Sequence, residues 1–343
     1  MTGYFVRRFL LIIPTFIGIT LLVFAITRVV PGGPIELLMT QIQLGGETGS
    51  LHRSQGGGTL SDEQMEELKR YYGFDKPMLS SYAIWLKKVL QFDLGHSTRY
   101  QDPVWEIIKE RFPISIFYGL STLVLTYAVC IPLGLAKGMY HGSTLDSWSS
   151  AVVFLGYALP SYVIGIALIS LFAGYWDMFP LGGFVSDNYE EFSAWGKAKD
   201  IFSHAVLPLI AYLAGSFAVT TLMMKNSLMD NLSADYMRTA AAKGLSRSES
   251  VRKHALRNSL IPVATSFGSN ISLLLGGSFL IETIFNIDGI GLLGYEAIIE
   301  RDYPIVMGIL VISSLLYLLG NILSDICVAL VDPRIRFGGG RGA

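Results

Sequence analysis

The chain has 343 residues, of which 51% are hydrophobic and only 15% are charged, and its formal net charge is −1. Soluble globular domains carry about 25% charged residues, so the composition excludes that class and indicates a membrane protein. Both cysteines, Cys130 and Cys327, lie in apolar runs, and the five histidines show no ligand spacing. The sequence therefore predicts neither a disulfide framework nor a metal site.

The first apolar run follows Arg7 and Arg8 and extends from Phe9 to about Val30. At about 1.5 Å per residue, a helix of this length crosses the hydrocarbon layer. A secretory signal would be shorter and would end at a small-x-small cleavage site, whereas residues 31–34 read Pro-Gly-Gly-Pro. The run predicts a retained first membrane span.

A long polar loop, residues 31–113, comes next. Its glycine-rich part, residues 42–59, is predicted to be a mobile insertion. Ser61 and Gln64 have capping-box spacing, which predicts a helix ending near Gly73, and a further helix is expected over residues 83–90. Long loops with helices of their own are usually functional, so we expect this one to shape an outer mouth or contact a delivery protein.

Five more membrane-length apolar runs follow, which gives an all-α membrane protein with six transmembrane helices. Their approximate bounds are 114–136, 151–173, 205–224, 263–285 and 305–330. Six spans place both termini on the same side of the membrane.

Lysine and arginine positions predict that this side is the cytoplasm. Thirteen of the 26 lie on the side of Arg7 and Arg8, in residues 1–8, 137–149, 225–262 and 331–343. The opposite side has twelve, but nine of these fall in the 31–113 loop, which is longer than the segments to which the positive-inside rule applies. The N-terminus, the C-terminus and residues 225–262 are therefore expected to be cytoplasmic.

Within that last segment, residues 235–262 form the longest basic stretch between two spans, and we call it the basic loop. Ser233 is a candidate cap for a helix over residues 234–243, which contains three consecutive alanines. Gly244 can end that helix in the left-handed conformation. Ser246 and Glu249 then have capping-box spacing for a second helix, which Pro262 should end.

Ionisable residues inside spans are functional candidates by default. Arg28 and Glu282 each lie near the outer end of a span, where Glu282 could hold a peptide amine, pair with Arg28 or be satisfied by interfacial water. The outer turn before the last span adds four residues that could line a mouth or form a structural corner. These are Tyr295, Glu296, Arg301 and Asp302.

The string RTAAAKG, with HALRN following it, resembles the EAA loop of permease subunits in binding-protein-dependent ABC importers. In that pattern an E-A-A triplet precedes a glycine at a fixed offset. Here Arg238, Thr239 and Ala240 fill the triplet and Gly244 is the glycine, so the first two positions depart from the plain pattern. The departure is similar to the form found in the dipeptide/oligopeptide/nickel branch of these importers.

Other strings extend this resemblance over nearly the whole chain in the same order, including YGFDKP, FDLGHSTR and VDPRIR. The strings GYALPSYVIG, KNSLMDN and LLGYEAIIERDYP resemble the Yej-type subgroup, which is linked to uptake of peptide antibiotics of the microcin C type. The resemblance implies a type I ABC importer permease (MetI-like) fold, with a long periplasmic loop between helices 1 and 2. The expected parts are 1–30 (N-terminus and first span), 31–113 (periplasmic loop), 114–330 (permease core) and 331–343 (tail).

The resemblance also implies a bacterial inner-membrane location and a set of partners. These are a second homologous permease, one or two ABC ATPase subunits that hold ATP and Mg, and a periplasmic peptide-binding protein; no nucleic acid is expected. This chain would bind no cofactor and catalyse no reaction, and it contains no G-x-x-x-x-G-K-[ST] motif. The implied ATPase-coupling residues are Arg238, Thr239, Ala240, Ala241, Ala242, Lys243, Gly244 and Leu245.

Two alternatives stay open from the sequence. The cargo could be nickel or another small solute, since the same branch of importers includes both. A secondary transporter, a different class, would couple through intramembrane charges and internal repeats, but charged residues inside the spans are few.

Overall fold

The computed structural model describes residues 2–29, 76–275 and 277–331, and every helix or strand element in these ranges is helical. The all-α prediction is confirmed for this part of the chain. In chain order the helices are α1 (Thr2–Val29), α2 (Met78–Leu90), α3 (Val104–Met139), α4 (Thr144–Ala158), α5 (Ser161–Leu168), α6 (Ala194–Ser233), α7 (Asp235–Ala242), α8 (Arg247–Ser250), α9 (Leu256–Ser259), α10 (Ile261–Leu275), α11 (Phe279–Ile284), α12 (Ile290–Ile299) and α13 (Tyr303–Val331). Shorter turns are the π-helical Ile169–Tyr175 and Val251–Ala255 and the 3₁₀-helical Tyr189–Glu191.

Four of the described helices are long and apolar enough to cross a membrane: α1 over Val6–Arg28, α3, α6 and α13. They coincide with the first, second, fourth and sixth predicted runs. The third run corresponds to α4 and α5 with its π-helical turn, and the two helices are bent by 99°. Counting that pair as one span brings the total to five.

Pro160 explains where the third run bends. Leu159 is extended, with φ −95° and ψ 130°, because a residue before proline avoids the helical conformation. The fifth predicted run is also divided, into α10 with 15 residues and the short α11. Length and composition of the described helices therefore account for four or five spans, and the total of six stays a prediction.

The described residues fall into two compact units. The first contains the described parts of Met1–Leu11, Arg111–Leu293 and Leu315–Ala343. Its apolar core gathers buried side chains from α3, α6 and the α11 region, together with Ala173. The core members are Tyr118, Ala173, Ala205, Leu207, Ala211, Tyr212, Ile281, Phe285 and Ile287.

Helix packing in this unit is close because small residues lie at the contacts. A Cβ added to Gly134 of α3 would lie 2.6 Å from the Cβ of Met224 in α6. One added to Gly138, a turn later, would lie 2.8 Å from Cδ2 of Leu228. Small residues at this spacing let helix backbones approach where lipid supplies no hydrophobic force between helices.

The second unit contains the described parts of Ile12–Glu110 and Gly294–Ser314. In it, Tyr82 of α2 packs on α1, with its hydroxyl 2.8 Å from Oγ1 of the buried Thr20. α2 begins at Met78, earlier than the predicted start of its helix at residue 83. The predicted helix from Ser61, the glycine-rich insertion at 42–59 and the tail after residue 331 lie outside the described residues.

Candidate functional site

The basic loop folds as two short helices joined by a glycine. α7 covers Asp235–Ala242, and Gly244 follows at φ +86°, the left-handed conformation that glycine adopts without strain. Ser246 caps α8, and the full capping box with Glu249 is present. These three features match the sequence prediction.

Two details of that prediction are wrong. Ser233 does not cap α7, because it is the last residue of the 40-residue α6 and its hydroxyl donates to the carbonyl of Asp230. The cap position is Ala234, which offers no side-chain hydrogen bond. Pro262 does not end the second helix either; that helix ends at Ser259, and Pro262 lies in the first turn of α10, where proline is tolerated.

The two faces of α7 differ in burial. Met237 and Ala240, three residues apart, are 7% and 4% exposed. They point to the bundle, since residues three apart share one helix face. The remaining predicted coupling residues are exposed except for Leu245, which is half-buried. The exposed ones are Arg238, Thr239, Ala241, Ala242, Lys243 and Gly244.

The inner face rests on an apolar group that we call the seat cluster. Its buried members are Leu228, Met237, Val251 and Ala255. They come from α6, α7 and the π-helical turn, and partly buried side chains of α3 and α6 pack against them, namely Leu135, Met139 and Leu232. The loop is thus fixed on the bundle from one side and open on the other.

Charge on the outer face is mostly positive. Arg238 contacts Asp235 at 3.4 Å, but both side chains are largely exposed, so this surface ion pair contributes little. Hydrogen bonds from the hydroxyl and the N–H of Ser246 hold the pKa of Glu249 below its usual range. Glu249 is therefore ionised at neutral pH and engaged in the cap.

Glu282, the candidate at the end of the fifth predicted run, is 1% exposed. Its Oε2 accepts the N–H of Leu292 at 2.6 Å, and its Oε1 accepts from the Tyr212 hydroxyl and the Ser278 N–H, both at 3.3 Å. The carboxylate thereby ties α11 to α12 and α6. Gly289 makes room for it, because a Cβ there would lie 2.6 Å from Cδ of Glu282.

Arg28 belongs to the second unit. Its Nη1 donates to the carbonyl of Lys76 at 3.4 Å, and its guanidinium lies 5.2 Å from the ring centroid of Phe24. The predicted contact between Arg28 and Glu282, and the binding of a peptide amine by Glu282, stay predictions.

The four residues of the outer turn lie together in the second unit. Glu296 accepts Nη1 of Arg99 at 2.9 Å. Asp302 is 1% exposed and accepts the N–H of Arg99 at 3.1 Å as well as the hydroxyl of Ser97. Tyr295 is 42% exposed, and Arg301 adopts a left-handed φ of +57°. Asp302 thus holds a structural corner, whereas the side chain of Tyr295 is accessible.

Among the ionic contacts that the sequence did not predict, two groups join separate helices. Arg8 Nε lies 3.0 Å from Oδ2 of Asp325, which joins the start of the chain to α13. The carboxylate of Asp146 receives two lysines, Lys137 and Lys225, at 3.0 and 2.8 Å. The only sequence signal for the second contact was a lysine beside glycines at the end of an apolar run, nine residues before an aspartate.

Residues 130–337 match the family described as "Binding-protein-dependent transport system inner membrane component". This match covers more than half of the chain. The chain belongs to this family. It is accordingly a multi-pass inner-membrane permease, and the resemblance seen in the sequence is confirmed.

Relatives of this permease match along their whole length. It is 40% identical to the Agrobacterium fabrum "Peptidoglycan transport system permease protein YejB", over 98% of this chain and 99% of the relative. It is 40% identical to the Escherichia coli O157:H7 "Inner membrane ABC transporter permease protein YejB", over 99% and 100%. It is 34% identical to the Escherichia coli K12 "Dipeptide transport system permease protein DppB", over 98% and 99%.

The permease is also similar to a solved structure, the MetNI methionine ABC transporter in inward-facing conformations. The TM-score is 0.51 at 16% identity, over 66% of this chain and 97% of that chain. At this identity the likeness supports the MetI-like type I fold alone. Among the described residues of the permease, no group of three or more histidines, cysteines or carboxylates could hold a metal ion.

Proposed function

We propose that the chain is the membrane-spanning permease subunit of an ATP-driven peptide importer of the Yej type. It forms half of the translocation pathway, and a second homologous permease forms the other half. A periplasmic binding protein delivers the peptide, and ABC ATPase subunits hold ATP and Mg²⁺. The family match and the full-length relatives support the assignment.

The basic loop is the observation that carries the coupling role. Its outer face has the small side chains of Ala241 and Ala242 between the cations Arg238 and Lys243, and all four are exposed. Small residues let a partner surface approach closely, and the cations can pair with carboxylates beside a groove. The buried inner face fixes the loop to the bundle, so force applied outside reaches the spans.

The expected mechanism follows from that connection. ATP binding closes the ATPase domains and carries the basic loop with them. The basic loop is joined to α6 at its start, through α7, and to α10 at its end, shortly after α9. Its movement therefore tilts α6 and α10 and changes the pathway from inward- to outward-facing. The mechanism places the basic loop and both termini in the cytoplasm, with six spans in all.

The cargo is inferred from the relatives. Their names refer to dipeptides in one case and to peptidoglycan in another. We propose peptides as the cargo class, including peptide antibiotics of the microcin C type and peptide fragments of the cell wall. Of the four outer residues, Tyr295 and Arg301 are exposed, whereas Glu296 is half-buried and Asp302 is buried, so Tyr295 and Arg301 are the ones accessible to a binding protein or a peptide at the mouth.

Cross-linking tests the docking role. With Cys130 and Cys327 replaced by alanine, Ala241→Cys should form a disulfide with a cysteine placed in the groove of the ATPase. Ser248→Cys, exposed on α8 outside the proposed contact, is the matched control and should cross-link weakly. Labelling of position 241 from the periplasm by an impermeant reagent would refute the proposal.

Transport tests the cargo. Membrane vesicles that contain the complete complex should accumulate a labelled alanine tripeptide when ATP is present, and vesicles without this subunit should not. ATP-dependent uptake of nickel but not of peptides would refute the peptide assignment.

A further inference from the structure

The ionic group around Asp146 joins three helices at one carboxylate. Lys225 of α6 contacts Oδ1 and Oδ2 at 2.8 and 3.0 Å, and Lys137 of α3 contacts Oδ1 at 3.0 Å. His141 Nδ1 lies 3.0 Å from Oδ2, and the N–H of Gly142 donates to the same oxygen at 3.1 Å. We call Lys137, His141, Asp146 and Lys225 the Asp146 cluster.

The lysine and aspartate side chains that carry the ion pairs of the Asp146 cluster are largely buried. The side chain of Lys137 is 0% exposed, that of Asp146 7% and that of Lys225 11%. Lys137 Nζ also donates to Oγ of Ser149 and of Ser150, both at 2.8 Å. A buried ion is tolerated only when its partners are in place. The ion pairs therefore fix the distances between α3, α4 and α6 and the alignment of these helices along their axes.

The cluster lies beside the seat cluster of the basic loop. Lys225 is one helical turn before Leu228, which is 0% exposed at the centre of the seat cluster. On α3, Lys137 lies between Leu135 and Met139, and both of these pack against the seat cluster. The apolar contacts that hold the loop and the ionic contacts that fix the helices are therefore neighbours on the same two helices.

We propose that the Asp146 cluster is a positioning element for energy coupling. It fastens the ends of α3, α4 and α6 into one block, so a displacement of the basic loop moves these helices together. The seat cluster packs these helices through non-directional apolar contacts, and the Asp146 cluster adds directional contacts to them. Ion pairs with buried, fully bonded partners do not slide. This inference rests on the coupling role in the proposed function.

Lys225→Gln is the variant that tests it. Lys225 is the more exposed of the two lysines, so a glutamine side chain in its place can reach water. The variant also leaves the ion pair between Lys137 and Asp146 in place. Lys199→Gln, exposed on the same helix, is the matched control. Lys225→Arg restores the charge and is the rescue variant. Each is purified as the complete complex and reconstituted into liposomes with the alanine tripeptide as the probe.

The measured quantity is tripeptide transported per ATP hydrolysed. We expect Lys225→Gln to lower this ratio by about fivefold or more, the lower end of common coupling effects. The amount of co-purified ATPase and the rate of ATP hydrolysis should stay unchanged. Lys225→Arg should recover most of the ratio, and Lys199→Gln should equal the wild type. If Lys225→Gln does not accumulate, His141→Gln removes a half-exposed partner of the same carboxylate and should shift the ratio in the same direction, by less.

An unchanged ratio in these variants would overturn the inference. Loss of the ATPase from the Lys225→Gln complex would overturn it too, because the cluster would then act in docking. A wild-type complex that hydrolyses ATP without moving the tripeptide would refute the proposed function, and the inference with it. These outcomes are distinct, since the last appears before any variant is compared.

Discussion

Met237 anchors the basic loop, and its truncation tests whether the seat cluster holds the loop in place. The eight residues of α7 are too few for an independent helix, because isolated helices shorter than about 12–15 residues are marginal in water. Its position therefore depends on Met237 and Ala240. Met→Ala in a core costs about 2–5 kcal/mol, and we expect about 2 kcal/mol here because the site lies at the edge of the bundle and can relax.

A loss of about 2 kcal/mol raises the open population of the loop about 30-fold. In the purified complex, the hydrogen-exchange rates of the α7 amides should rise by this factor of about 30, and those of the α13 amides should not change. ATP-driven uptake should fall while membrane insertion persists. Ala241→Ser, exposed on the same helix, is the control and should exchange as the wild type does. Unchanged exchange in α7 of Met237→Ala would refute the reasoning that the seat cluster fixes the loop.

Gly268→Val should separate α10 from α13, because even a Cβ at Gly268 would lie 1.7 Å from the carbonyl oxygen of Gly320. Thermal unfolding of Gly268→Val should begin at a lower temperature than that of the wild type. Gly215→Ala is the control, because a Cβ there meets open space, and its unfolding temperature should hardly change. Equal shifts of the unfolding temperature in the two variants would contradict the close packing of α10 on α13. Glu249→Ala should speed hydrogen exchange at the start of α8, and Glu249→Gln, which can complete a capping box, should not. The pKa of Glu249 is lowered, so the stability that the ionised carboxylate gives to the cap is complete above its ordinary pKa of about 4.3. That stability is lost only as the pH falls through the lowered pKa. The difference in hydrogen exchange between Glu249→Ala and the wild type should therefore not depend on pH near neutrality.

The sequence was sufficient for features that depend on neighbouring residues. Gly244 and the Ser246–Glu249 capping box were predicted because the turn and the cap are decided within a few residues of chain. The Ser233 cap failed for a tertiary reason. Packing of α6 on the bundle extends that helix through Ser233, and the hydroxyl bonds back into its own last turn instead of starting the next helix.

Contacts between distant residues could not be predicted in the same way. Lys225 and Asp146 are 79 positions apart, and Arg8 and Asp325 are 317 apart. Each residue was visible as a charge at the end of an apolar run, but the pairing depends on how helices cross. The bend at Pro160 has a local cause, yet hydropathy alone shows a continuous run, so residues 151–173 were predicted as one span with no statement about its bend.

Four carboxylates are buried among the described residues; Asp200 accepts the N–H and the hydroxyl of Ser186, and the other three are Asp146, Glu282 and Asp302. A charge inside a span is a functional candidate by default, but each of these has hydrogen bonds to both of its oxygens, so burial does not rank them. What differs is which parts each carboxylate joins. Asp302 closes a corner within its own unit, and Glu282 ties α11 to α12 and α6. Asp146 alone bridges the helices that carry the seat of the basic loop, and for that reason its cluster is the place where a change should separate ATP hydrolysis from transport.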